Sequence, residues 1–333
     1  VPGYFEDENG QRRYNALALS GGGSHGAFGA GFLIGATEAG LRPRFKLITG
    51  ISTGALIAPF AFLGPDYDDQ LKEAFTSINT KNIMEINSLA GIVGGESFAK
   101  TGPLANLIEK YFNEAFLQSV AAAHNQGRRL YIGTTNLDTQ RLIVWNMGLI
   151  ANSDSPYALE LFQKVVLASA SIPAAFPPVM IKVEADGQIY DELHVDGGTR
   201  TQVFFYGGTL DLKAAARSAG LGDSSYLGNI YIIRNGHLSP EPEIIERKLM
   251  DITGRAVNTM IKSAAVSDLY RIYAFAQREN VNFHYVDIPD DLVVVEEEAF
   301  DPAAMNALFD TGYKLGLSAD PWEKAPPGLL TSE

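Results

Sequence analysis

The chain has 333 residues, 46% of them hydrophobic, with 26 basic against 39 acidic side chains, a formal net charge of −13 and no cysteine. That negative excess disfavours nucleic acid as a partner and gives no electrostatic pull toward anionic lipid. Without cysteine there are neither disulfides nor thiolate zinc sites, and the length allows one large α/β domain or two smaller ones.

Apolar runs alternate with helix-like stretches. The first predicted strand, 15–19, opens into Gly21-Gly22-Gly23-Ser24-His25-Gly26 and then a helical stretch from Ala27 to Ala39. Three consecutive glycines leave backbone N–H groups bare at a helix N-terminus, where they can hold negative charge. A phosphate loop would need Lys followed by Ser or Thr after its last glycine, and this loop has neither. A dinucleotide fingerprint would place an acid about 20 residues on, where this chain reads Phe45-Lys46-Leu47. An oxyanion hole is the better reading.

The second strand, 45–49, runs into Gly50-Ile51-Ser52-Thr53-Gly54 and an apolar helix. Strand, sharp turn and helix with a serine at the tip is how a serine nucleophile is presented. From Ile83 to Phe98, the aliphatics Ile86, Leu89, Ile92 and Val93 stand among Gly91, Gly94 and Gly95, a pattern that suits a lid or a lipid-docking loop and equally an ordinary surface connection whose aliphatics tuck into the core. Strands follow at 129–135, 141–146, 192–196, 228–234 and 281–288, and the alternation predicts an α/β fold with a mostly parallel sheet between helical layers.

The longest helical signal extends from Pro242 to about Asn280. Ile244, Leu249, Ile252, Met260, Leu269 and Ile272 recur there at helical spacing, a stripe read as core packing ahead of a membrane-binding surface, with Gly254 as a break. Asp301 as cap and Pro302 in the first turn begin a last helix toward Gly316, and Ala325-Pro326-Pro327-Gly328 reads as a loose tail. No run of about 18 apolar residues exists to span a bilayer.

A serine nucleophile needs a base. His237, in a turn, and His284, on an alternating strand, could serve as the histidine of an ordinary hydrolase triad. Asp196, ending the strand Leu193-His194-Val195-Asp196 ahead of Gly197-Gly198, has room around its carboxylate for a close approach. His194 lies two residues before it on the same face and is a further candidate.

The order Gly21-Gly22-Gly23-Ser24-His25-Gly26, Gly50-Ile51-Ser52-Thr53-Gly54, Asp196-Gly197-Gly198 resembles that of the patatin-like phospholipases. The Ser- and Pro-rich stretch 168–178 and the hairpin formed by 131–137 and 142–145 resemble that family as well. The likeness covers about residues 14–316, leaving 1–13 as an N-terminal extension and 317–333 as a C-terminal tail. It implies a three-layer α/β fold, Ser52 as nucleophile, Asp196 as base and Gly21, Gly22 and Gly23 as the oxyanion loop. His25 stands where the family usually has Arg or Lys, and with Thr53 it is a candidate substrate contact.

The expected activity is cleavage of carboxylic esters of lipids, with no metal or cofactor and with a lipid or ester as the binding partner, met in transient contact with a lipid surface. Two alternatives stay open: a scaffold on the same fold without turnover, and a histidine-using serine esterase. Val1 is not a translation start, so the chain begins at a boundary or after a removed leader. Removal of a leader would imply the cell envelope, and its absence the cytoplasm.

Overall fold

The computed structural model describes residues 4–6, 10, 12–86, 97, 99–205, 227–240, 242, 244–296 and 298–329. Its strands are β1 (Tyr4–Glu6), β2 (Arg12–Leu19), β3 (Phe45–Gly50), β4 (Glu85–Ile86), β5 (Ala99–Lys100), β6 (Arg129–Asn136), β7 (Arg141–Asn146), β8 (Val179–Ala185), β9 (Gln188–Asp196), β10 (Leu227–Ile233) and β11 (Asn282–Val286). The helices are α1 (Gly26–Glu38), α2 (Thr53–Leu63), α3 (Asp68–Thr76), α4 (Thr80–Ile83), α5 (Gly102–Tyr111), α6 (Glu114–Asn125), α7 (Met147–Ala151), α8 (Ala158–Ser169), α9 (Leu249–Glu279) and α10 (Pro302–Gly316).

One sheet runs in the order β11-β10-β2-β3-β6-β9-β8, with β1 beside β2 and β7 beside β6. Its centre, from β11 to β6, is parallel. Parallel strands buried on both faces read as unbroken apolar runs, and β2 shows why. Leu17 and Leu19 enter the core under α1, α2 and α10, while Ala16 and Ala18 face the core under α9 with Leu269, Ile272 and Ala276.

The far side of the sheet sets up the site. β7 pairs antiparallel with Tyr131 to Asn136 of β6 and so occupies one edge of it. β3 and β9 must share the other edge. β3 comes up parallel and ends with Gly50 opposite Ile132, whereas β9 comes down antiparallel and ends with Asp196 opposite Thr134. Two strand ends therefore meet nearly head to head, with only Gly133 of β6 between their final registers.

α1 and α10 are held close by glycines. A Cβ on Gly31 or Gly35 of α1 would lie 2.1 Å from the carbonyl oxygen of Phe309 or Tyr313, and one on Gly312 of α10 would lie 2.0 Å from that of Phe28. Such contacts leave no room for a methyl group. Asp301 caps α10 as the sequence predicts, its Oδ1 accepting from the Ala304 N–H at 2.9 Å. Beyond α10, Trp322 packs edge-on against Phe32 and Tyr231, Glu323 pairs with Tyr285, and Pro326 is buried.

Three expectations need correction or completion. β8 was not foreseen: its alternation carries Lys182 and Glu184, and it pairs with β9 across Asp186 and Gly187, both at positive φ as a tight hairpin turn requires. Gly254 does not break α9, which runs through it to Asn280, a left-handed cap at φ 54°. The stripe on α9 is only half core, since Leu269 and Ile272 are buried but Leu249, Ile252 and Met260 are exposed. Helical spacing marks which residues share a row and not whether anything covers the row. Residues 87–96 and Phe98 of the lid or docking segment lie outside the described residues. Among the described residues no helix is long and apolar enough to cross a membrane.

Replacing Gly35 with Ala should force α1 and α10 apart and destabilise the protein by about 1–3 kcal/mol in denaturant unfolding. An unchanged midpoint would mean that the helices do not approach this closely.

Candidate active site

Ser52 sits in the turn between β3 and α2 at φ 55° and ψ −127°, a conformation that costs a non-glycine residue about 1–3 kcal/mol. The strain is therefore on the serine itself. Gly50 and Gly54 are needed for space: a Cβ on Gly50 would come within 2.4 Å of the Gly54 oxygen, and one on Gly54 within 2.4 Å of the Leu19 oxygen. Ser169, the last residue of α8, locks the turn by accepting from the Ser52 N–H at 3.0 Å and donating to the Gly133 oxygen at 2.7 Å.

Asp196 closes β9 directly beside it. The Ser52 hydroxyl lies beside its carboxylate and favours the anion, the Gly198 N–H donates to Oδ1 at 2.6 Å, and the Asp196 N–H donates to the Ser171 oxygen at 2.9 Å. Both side chains are almost wholly buried, Ser52 at 5% and Asp196 at 4% exposure. Burial pushes the Asp196 carboxyl up to about 7, against the Ser52 hydroxyl and the Gly198 N–H, which favour the anion. A carboxyl in that range is a far better proton acceptor near neutral pH than an ordinary aspartate.

The glycine loop after β2 crosses the same place. A Cβ on Gly21 would lie 3.1 Å from that of Ser52, so the loop backbone passes over the serine. The Gly21 N–H is committed to the Gln202 oxygen at 3.1 Å, which removes Gly21 from the expected set of oxyanion donors. Gly22 and Gly23 remain: their N–H groups meet no acceptor among the described residues, and both line the cleft that holds Ser52 and Asp196. Arg234 and Asn235, just past β10, latch the loop. The Arg234 guanidinium donates to the Gly21 oxygen at 2.8 Å and the Ser20 hydroxyl at 3.1 Å, and the Asn235 side chain bonds the Ser20 oxygen at 2.9 Å and the Gly29 N–H at 3.1 Å.

The residues after Asp196 are anchored from α9. The buried Asp268 carboxylate accepts from the Thr201 hydroxyl at 2.5 Å and from the N–H groups of Gln202 at 2.7 Å and Val203 at 3.2 Å. Gln202 in turn bonds the Gly198 oxygen at 2.8 Å and, through its own carbonyl, holds Gly21. One carboxylate on α9 thus steadies both the aspartate turn and the glycine loop.

The other sequence candidates separate. His25 is half exposed in the cleft, 3.7 Å from a Glu296 oxygen, with its ring 6.4 Å from that of His237, which also lines the cleft. Thr53 is buried at the start of α2 and lines a small apolar cavity of about 50 Å³ that also touches Gly23 and lies between Phe60, Leu104, Ile108 and Met305. His194 is buried and bonded to Thr134 at 2.9 Å and Glu192 at 3.0 Å. His284 stacks on Tyr231 at 4.6 Å, bonds Asn229, and is pushed by burial down to about 4.

Ser169, Gln202, Arg234, Asn235 and Asp268 were not singled out from the sequence. Ser169 lay inside the Ser- and Pro-rich stretch, and an acid within the apolar stripe of α9 was a usable signal for Asp268. The Arg234 and Asn235 contacts join residues more than 200 positions apart and leave no local pattern.

The raised pKa of Asp196 makes a stability prediction. Folded, the carboxyl holds its proton up to about pH 7, against 3.8 when exposed, so its contribution to stability is complete below pH 3.8 and is lost as pH rises through 7. Asn keeps the shape without the buried charge. Asp196→Asn should match wild type in thermal melting at pH 4 and exceed it at pH 8, by a margin on the order of 3–4 kcal/mol. An equal difference at both pH values would show that Asp196 titrates normally.

The patatin-like phospholipase family profile matches residues 17–205. No match is found among curated proteins. Among solved structures, the crystal structure of VipD from Legionella pneumophila is similar at 12% identity and a TM-score of 0.42, over 95% of this chain and 70% of that one. With more than half of its length matched by the family, the chain belongs to the patatin-like phospholipases, a family of lipid acyl hydrolases.

Proposed function

We propose that this protein cleaves carboxylic ester bonds of phospholipids through a Ser52–Asp196 dyad and an acyl-enzyme. The observation that carries the reading is the burial of Ser52 beside Asp196, whose carboxyl is raised to about 7, under a loop with two uncommitted amides.

Ser52 Oγ attacks the ester carbonyl as its proton passes to Asp196, so no free alkoxide has to form beforehand. The N–H groups of Gly22 and Gly23 receive the negative charge that gathers on the carbonyl oxygen. Collapse of the tetrahedral species breaks the bond to the leaving alcohol, which takes the proton from Asp196. A water that gives its proton to the same carboxylate then attacks the acyl-serine, and the fatty acid leaves as the proton returns to Ser52.

The surroundings suit a lipid ester. The small apolar cavity touching Gly23 and Thr53, next to the serine in sequence, gives the direction in which an acyl chain would enter, by parting Leu56, Phe60, Leu104 and Ile108. On the opposite side the open cleft is walled partly by Arg255 and Lys262, cations that favour an anionic head-group phosphate over a neutral acylglycerol. His284 is bonded elsewhere, and the group that meets the Ser52 hydroxyl is the carboxylate rather than an imidazole.

A fluorophosphonate should modify wild type at Ser52, as located by peptide mass, and leave Ser52→Ala untouched. That variant should also lose at least about 10³-fold in turnover of phosphatidylcholine and of a medium-chain nitrophenyl ester. An adduct at another residue, or turnover that survives the substitution, would remove Ser52 from the chemistry.

A further inference from the structure

α9 carries two apolar rows on opposite faces. At 100° per residue, Ala265, Leu269, Ile272 and Ala276 form one row, all of it buried against the sheet. Leu249, Ile252, Ala256 and Met260 form another, about half a turn away, and it is open to solvent: Leu249 is 80%, Ile252 52% and Met260 63% exposed, and Met260 at its end also lines the cleft. Ile244, just ahead of the helix, is 99% exposed. Three turns of outward apolar side chains do nothing for the core, and contiguous exposure of this kind marks a contact surface.

The charges beside that row differ from those of the whole chain. Residues 244–262 carry four basic side chains (Arg247, Lys248, Arg255, Lys262) against two acidic ones (Glu246, Asp251), in a chain of net −13. Lys248, Arg255 and Lys262 recur every seven residues, so they follow one flank of the apolar row. Lys248 pairs with Glu246, and Lys262 donates to the Ser239 oxygen. An apolar face with cations along its border is the pattern of a helix lying in a lipid–water interface, aliphatics among the acyl chains and basic groups at the phosphates.

The position fits as well. Arg255, Val257, Asn258, Ile261 and Lys262, of the same turns, line the cleft that contains Ser52 and Asp196, and Met260 carries the exposed row to its edge. We propose that the first three turns of α9, with Ile244, dock on a phospholipid surface and bring the mouth of the cleft to it. The choice of lipid as the occupant rests on the lipid-ester reading above; the exposed row itself does not.

The test is flotation of the full chain with vesicles of phosphatidylcholine and phosphatidylglycerol, comparing wild type with Leu249→Gln/Ile252→Gln. Neither residue lines the cleft. The double variant should bind vesicles at least tenfold less and lose vesicle hydrolysis to a similar extent, while keeping wild-type melting and wild-type turnover of a short-chain, water-soluble nitrophenyl ester. Equal flotation of the two proteins overturns the proposal. So does a concentration-dependent dimer that the double variant abolishes without any vesicle binding, because the row would then belong to a second copy. The same comparison on a Ser52→Ala background separates the two readings: row-dependent flotation there supports docking whether or not Ser52 proves to be the nucleophile.

Discussion

Two strands that end against the same edge of β6 bring the candidate dyad together. β3 delivers Ser52 from one direction and β9 delivers Asp196 from the other, with Gly133 between their last registers. Ser169 closes the junction by bonding the Ser52 N–H and the Gly133 oxygen at once. β9 runs antiparallel to β6 here, and its effect is to set residues 144 positions apart in sequence side by side at the buried floor of the cleft, where the interaction between them is strengthened.

That burial has two consequences of opposite sign. It lifts the Asp196 carboxyl to about 7, which suits it for moving a proton near neutral pH, and it makes the ionised form unfavourable for the fold. The bond from Gly198 and the neighbouring Ser52 hydroxyl offset only part of that cost. The strained torsions of Ser52 point the same way: the surrounding core, with its glycine contacts between α1 and α10, holds a local arrangement that would not persist alone.

Much of this was legible in the residues, for reasons that can be named. The parallel strands announce themselves because burial on both faces demands unbroken apolar runs, and the glycine loop, the serine turn and the aspartate with its two glycines each carry a local geometric need. β8 stayed hidden because an exposed outer strand tolerates charge. Gly21 was counted among the oxyanion donors because a loop's sequence cannot show that Gln202, 181 residues on, will take one of its amides. α9 is the clearest case: its periodicity was visible, yet only the fold separates a row that packs on the sheet from one that faces outward. The same helix joins the two regions of interest, with Leu249 and Ile252 near its start and Asp268 gripping the loop behind Gly21 and Asp196 further along.

The most direct measurement of the central claim is the pH dependence of the rate at which a fluorophosphonate reacts with Ser52, in wild type and in Asp196→Asn. The account predicts a wild-type rate that rises through a single ionisation near 7 and an Asn variant that is slow at every pH. A wild-type rate that stays level down to pH 5, or an Asn variant that keeps the wild-type profile, would contradict it.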